Sequence, residues 1–357
     1  IEKDKVKILQ VKNVLEDLTS SHVDDLDFPM IQFFQPQKLI IVADGQLHFK
    51  YLDTYDYEIE TDFAEICNTK AQANVQESHG PIKIKMRIHK DAYFEKAQKF
   101  LGHIHRGDIY EANFCQEFYA EDYALDPWAT YQRLNGISEP PFAALARFSD
   151  HYLMCASPER YLKRIGAKVI SQPIKGTARR GEGKREDEQI KKELSADKKE
   201  RSENIMITDL VRNDLSKSAI KGSVKVEELC KPYTFKQVHQ LISTVVAMVS
   251  ENKPSVELIK ETFPMGSMTG APKISAMKII EDLEETKRGL YSGTVGYFAP
   301  NGDFDFNVVI RSILYNASKK YVSYSVGSAI TAQSDPEKEY QECLLKAKAM
   351  RTVLEEG

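Results

Sequence analysis

Apolar residues in the segment DAYFEKAQKFLGHIHR, 91–106, recur with helical spacing. Phe94, Ala97, Phe100, Leu101 and Ile104 share one face, which predicts an amphipathic helix. Strand-like runs follow at 142–148, 151–155 and 168–172, and earlier at 39–42 within the mixed stretch 1–90. Charge dominates 179–202, the signature of solvated loop and helix faces. Helices are expected from about 198 to 212, from Ile274 onward, and from Pro336, since proline suits a first helical turn. The pattern reads 304–315 as one strand, with Phe304, Phe306, Val308 and Ile310 on one face and Asp305, Asn307, Val309 and Arg311 on the other. Turns are expected at Pro300-Asn301-Gly302-Asp303 and at Asn316-Ala317-Ser318. Strands and helices intermix without βαβ alternation, so the expected class is α+β, with large antiparallel sheets and helices outside them. Residues 1–90 are expected to supply a short N-terminal part of the framework and 91–357 the functional region, in one integrated domain.

Composition narrows the function. The 357 residues are 42% hydrophobic and 29% charged, with a net charge of −4. That balance fits a globular protein and argues against non-specific nucleic-acid binding, which needs a basic surface. No apolar run reaches the roughly 18 residues of a membrane span, and the first residues lack a signal-peptide core. Five cysteines, widely spaced and without C-x-x-C, suggest neither a disulfide framework nor a zinc site. A reduced, cytoplasmic setting is expected.

Several segments carry candidate chemistry, each with a plainer reading beside it. Glu159, in the turn Ser157-Pro158-Glu159-Arg160, is a surface charge or an acid held just after a strand. Lys175, in PIKGTARRG, is a loop lysine unless it is desolvated, in which case it is a nucleophile candidate. Glu203 shares a helix face with Met206, Ile207 and Leu210, so it needs a buried partner, either an arginine or a metal ion. Asp209 and Arg212 have the spacing of an intrahelical pair. Glu342 and Lys346 stand i,i+4, as a surface ion pair or as two separate ligands. Arg311 is a surface arginine or a carboxylate clamp. The loop 264–273 (PMGSMTGAPK) enters a helix N-terminus and could present N–H groups to an anion, from Thr269 and Gly270. Gly327 lies in a second small-residue stretch, close-packed or anion-binding. His239, within an apolar-periodic segment, is a satisfied core histidine or an acid–base group.

Taken in order, SPER, PIKGTARRG, SENIMITDLVRND, FPMGSMTGAPK, the strands from GLYSGTVGYF to NVVIRS, and SDPEKEYQECLLKA resemble the chorismate-utilising enzymes. The resemblance covers about 90–355 and implies two orthogonally packed antiparallel sheets flanked by helices. It implies a magnesium ion on Glu203 and Glu342, and carboxylate clamping by Arg311 and Lys346 with backbone N–H groups near Gly270 and Gly327. Tyr291 matches a substrate-contacting tyrosine, Glu159 the acid for the departing C4 hydroxyl, and His239 a histidine near that hydroxyl.

Within this family Lys175 matches the branch that puts ammonia on C4 of chorismate, on the way to p-aminobenzoate and folate. Branches that aminate C2, or that add water to give isochorismate or salicylate, usually carry alanine there. The water-adding branches also have a lysine base in the segment matching GDIYEAN, where this chain has Glu111. Many amino-transferring members have glutamine at that position, so the role of Glu111 stays open. Ser328-Ala329 is a second departure, in a stretch where glycines are common. No cysteine sits in a glutaminase-like G-x-C-x-G setting, so ammonia is expected from a partner glutamine amidotransferase or from solution. The N-terminal part is short for the family, which weakens transfer of the tryptophan site of longer relatives. Anthranilate synthase, isochorismate or salicylate synthase, and a silent chorismate-binding subunit remain the alternatives.

Overall fold

The computed structural model describes residues 20–69 and 82–356. The chain forms two compact units, 29–78 and the remainder. In the smaller unit, β1 (Lys38–Ala43) and β2 (Gln46–Tyr51) form an antiparallel hairpin. Asp44 and Gly45 turn it with φ of 51° and 72°, the left-handed pair that a two-residue hairpin requires. Helix α1 (Ile59–Asn68) follows, and Lys38 pairs with its Asp62 at 2.7 Å.

The larger unit runs through β3 (Lys85–Met86), α2 (Lys90–Arg106), β4 (Glu111–Ala120), α3 (Pro127–Ser138), β5 (Phe142–Phe148) and β6 (His151–Ser157). It continues with β7 (Arg160–Ile165), β8 (Lys168–Gln172), β9 (Ile174–Arg179), α4 (Lys184–Ala196), α5 (Lys198–Ser216), β10 (Lys225–Thr234) and β11 (Val238–Met248). The last part holds α6 (Ser255–Thr262), β12 (Gly270–Ala271), α7 (Lys273–Leu283), β13 (Gly296–Phe298), β14 (Phe304–Asn307), β15 (Ser312–Asn316), β16 (Tyr321–Thr331) and α8 (Pro336–Glu355). The expected helices at 91–106, near 198–212, from Ile274 and from Pro336 are all present. Asp335 caps α8, its side chain accepting from the N–H groups of Glu337 and Lys338.

Two antiparallel sheets organise this unit, making the fold α+β. One has the order β10-β11-β8-β7-β14-β13, with β9 also on β11; the other has the order β12-β4-β16-β15-β6-β5, with β3 on β4. In β6, Met154 and Ala156 enter one core with α2, α7 and α8, while Leu153 and Cys155 enter another with Leu162, Val169, Val245 and Ile207. β15 divides the same way, with Ile313 and Tyr315 on one side and Leu314 on the other. A sheet covered on both faces needs apolar residues at every position, which accounts for runs such as YLMCA.

The expected single strand at 304–315 is corrected. β14 pairs with β7 in one sheet and β15 with β6 in the other, so the chain changes sheets across 308–311. Arg311 ends this crossing with φ of 53°, a left-handed turn that breaks the alternation.

A buried ion pair braces the loop after α6. Lys273 Nζ meets Asp214 at 2.5 Å and donates to the carbonyls of Thr262 and Pro264. Removing one partner strands the other charge. Lys273→Met should therefore cost about 3 kcal/mol in urea unfolding, and adding Asp214→Leu should recover most of that loss.

Candidate active site

The site is built on an irregularity between β9 and β11. Ile174 faces Ile242 and Thr177 faces Gln240, so Lys175 and Gly176 together oppose Leu241 alone. This bulge frees the carbonyls of Lys175 and Leu241 from the ladder, and buried carbonyls need donors. The amide of Asn204, one residue after Glu203 on α5, donates to both, at 3.1 and 3.0 Å. Gly176 has φ of 91°, and a Cβ there would press on Leu241 and Glu200, so glycine is required at this bend. The bulge turns Lys175 into a cleft of about 750 Å³.

The same cleft gathers Glu159 from the turn after β6, Glu200 and Glu203 from α5, Glu342 and Lys346 from α8, and Tyr291, Arg311 and Gly327. Four carboxylates thus face three cations. Burial pushes Glu159 up to about 7, so near neutral pH it holds a proton to give. Burial likewise pushes Glu203 up to about 7, and its Oε1 has no hydrogen bond among the described residues. Lys199 lies 3.7 Å from that oxygen, an ion-pair distance too long for a hydrogen bond. Lys175 Nζ is 3.2 Å from Glu111 Oε1. Burial alone would lower the Lys175 pKa, but Glu111, Glu203 and Glu342 outweigh it and raise the pKa above the usual lysine value. Lys346 Nζ bonds Glu342 Oε1 at 2.6 Å and the Gly327 carbonyl at 2.9 Å. The Arg311 guanidinium makes no hydrogen bond or ion pair among the described residues, and burial lowers its pKa. A half-buried, uncommitted guanidinium suits an incoming carboxylate.

Residues 10–352 match the chorismate binding enzyme family. The chain belongs to that family. It is 36% identical over 346 residues to an anthranilate synthase component I-like protein of Synechocystis, covering 96% of this chain and 70% of that one. It is 37% identical to aminodeoxychorismate synthase component 1 of Escherichia coli over 266 residues, covering 74% of this chain and 58% of that one. Anthranilate synthase component I of Streptococcus pneumoniae superposes with a TM-score of 0.76 at 26% identity, covering 86% of this chain and 69% of that one.

In this chorismate binding enzyme, eight of the expected residues share the cleft: Glu159, Lys175, Glu203, Tyr291, Arg311, Gly327, Glu342 and Lys346. Three do not line it. His239 points from the opposite face of β11, with Nε2 2.8 Å from Asp187 and Nδ1 3.0 Å from Thr234 Oγ1. It is the satisfied core histidine, and its neighbour Gln240 reaches the cleft with a buried Oε1 that has no hydrogen-bond partner among the described residues. Thr269 turns its hydroxyl back to the carbonyls of Met265 and Gly266. Gly270 pairs with Ala112 in β12, where a Cβ would strike the Glu111 carbonyl, so close packing explains the glycine. Ser267 and Met268 are the residues this loop gives to the cleft. Half-buried Arg288 anchors that loop by donating to the carbonyls of Met268 and Asn113 while gripping Glu284. Gln240 was open to a period-two reading of 238–248, and Glu200 to its i,i+3 relation with Glu203.

The metal expectation rests on the donor set. No group of three His, Cys, Asp or Glu residues is gathered as a ligand cluster among the described residues. Two hard carboxylates, one with an unbonded oxygen, nonetheless fit magnesium, which keeps water and substrate oxygens among its ligands. Glu342 is shared with Lys346.

Glu203 gives a stability prediction. Its folded pKa, about 7, exceeds the unfolded value of 4.5. The folded state therefore holds the extra proton between these values, and stability falls as pH rises through them. With divalent ions chelated, Glu203→Gln should be more stable than the wild type at pH 8 by up to about 3 kcal/mol. The difference should vanish below pH 4.5, as thermal melts at the two pH values would show.

Proposed function

We propose that this chorismate-utilising enzyme aminates chorismate at C4, as an aminodeoxychorismate synthase. Lys175 carries the reading: a half-buried amine at a strand bulge, in one cleft with a carboxylic acid, Glu159, whose pKa is raised to about 7 so that a protonated fraction persists at neutral pH. Arg311 and Lys346 clamp the two carboxylates of the substrate. The Lys175 amine attacks C2 as the C4–O bond breaks, and Glu159 donates the proton that lets hydroxide leave as water. Ammonia then attacks C4 and the C2–N bond to lysine breaks. Glu203 and Glu342 would hold magnesium, which supplies charge for a substrate carboxylate. Ammonia comes from a glutamine amidotransferase partner or from solution. A place in p-aminobenzoate and folate synthesis follows from that product, and the cytoplasm is the proposed setting. None of the described helices is long and apolar enough to cross a membrane.

Anthranilate synthase is the second reading, favoured by the name and wide coverage of the Synechocystis relative. The discriminating experiment incubates the chain with chorismate, Mg²⁺ and ammonium and identifies the product; an anthranilate product would reject the C4 reading. Lys175→Arg keeps the charge but offers no usable nucleophile. It should lose C4 amination nearly as fully as Lys175→Ala, by at least about 10³-fold in kcat, while both still bind chorismate. Wild-type turnover by Lys175→Arg would reduce Lys175 to an electrostatic role. Chelating Mg²⁺, or Glu203→Ala or Glu342→Ala, should abolish turnover of a folded chain. Full activity in excess chelator would remove the metal.

A further inference from the structure

A nucleophilic Lys175 has a proton to lose, and among the described residues one carboxylate pairs with its Nζ. Glu111 opens β4 and is 1% exposed. Its Oε1 is 3.2 Å from Lys175 Nζ, and its Oε2 has no hydrogen-bond partner among the described residues. The backbone around it is fixed, with Glu111 paired to Thr331 of β16 and to Ala271 of β12. Other acids act on Lys175 from a distance: Glu203 on α5, Glu342 on α8 and Glu159 in the turn after β6. None of these forms an ion pair with its Nζ among the described residues. Glu159 must keep its own proton for the departing hydroxyl.

We propose that Glu111 is a catalytic residue that accepts the proton of Lys175 and later returns it, an inference that rests on Lys175 being the nucleophile. A carboxylate with one oxygen against Lys175 and the other without a hydrogen-bond partner among the described residues is poorly compensated as an anion. When chorismate displaces water from the cleft, the neutral pair of amine and carboxylic acid costs less desolvation than the ion pair. Lys175 then passes one proton to Glu111. Its lone pair forms the N–C2 bond, the C4–O bond breaks, and the Glu159 proton completes the departing water. In the second half, the lone pair of ammonia forms the N–C4 bond. The C2–N bond breaks, its electron pair returns to the lysine nitrogen, and Glu111 gives its proton back. The new C4 ammonium passes one proton to Glu159, which resets the acid. One carboxyl thus serves the lysine and another the leaving group.

The test uses the full chain with chorismate, Mg²⁺ and saturating ammonium, comparing Glu111→Gln, Glu111→Asp and Lys175→Arg with the wild type. Glu111→Gln preserves shape but accepts no proton. It should lose on the order of 10²–10³-fold in kcat, with KM for chorismate within about threefold. Without ammonia it should not form the chorismate-derived mass adduct on Lys175 that the wild type forms. Glu111→Asp, which keeps the carboxylate, should run at least about tenfold faster than Glu111→Gln. Glu111→Gln turning over within threefold of wild type, while Lys175→Arg is inactive, overturns the role of Glu111 and leaves the lysine mechanism standing. A folded Glu111→Asp variant no faster than Glu111→Gln overturns it too, as does a loss confined to KM. Wild-type turnover by Lys175→Arg overturns both.

Discussion

The Asn204 side chain is the contact on which the candidate site most depends. Its amide donates to the Lys175 and Leu241 carbonyls, and its carbonyl accepts from Ser243, so one residue joins α5, β9 and β11. The bulge that aims Lys175 inward strands two carbonyls, and a bulge left unsatisfied in a buried ladder is unfavourable. Asn204 removes that penalty from the helix that also carries Glu200 and Glu203. The position of the nucleophile candidate and of the metal-ligand candidate are therefore coupled through one amide.

The cleft concentrates charge that a dry interior would not tolerate unpaired. Its acids divide by partner. Lys346 holds the Glu342 pKa down against burial, whereas Glu159 and Glu203, without so close a cation, are pushed up toward neutral pH. Lys175 is the reverse case, a half-buried amine whose pKa is raised by its acidic neighbours. Desolvation alone would favour the neutral amine that a nucleophile needs. The charges of Glu111, Glu203 and Glu342 outweigh that effect. A neutral Lys175 then requires a change in the cleft, such as loss of water or arrival of another cation.

Much of this was legible in the sequence. The helical face of 91–106, the proline start of α8 and both hairpin turns follow from local patterns, and the structure agrees with each. The motifs that resemble chorismate-utilising enzymes named eight of the cleft residues because each sits on an element whose type is locally encoded. What failed depends on register or on tertiary context. His239 and Gln240 are adjacent on a strand, so an error of one position exchanges the core residue for the cleft residue. The strand read through 304–315 failed because nothing in an apolar run marks where it leaves one sheet for another. The ion pair of Glu111 with Lys175 joins residues far apart in the chain, and no local spacing reports it.

Arg311 carries a consequence for how such a chain evolves. Its left-handed backbone is tolerated most easily by glycine or asparagine, and an arginine there costs about 1 kcal/mol. Its half-buried guanidinium also has no protein hydrogen-bond or ion-pair partner among the described residues. Both features favour replacement if folding stability alone were selected. An arginine at this crossing is thus held against a stability gradient, and drift in a copy relieved of its function should erode this position early.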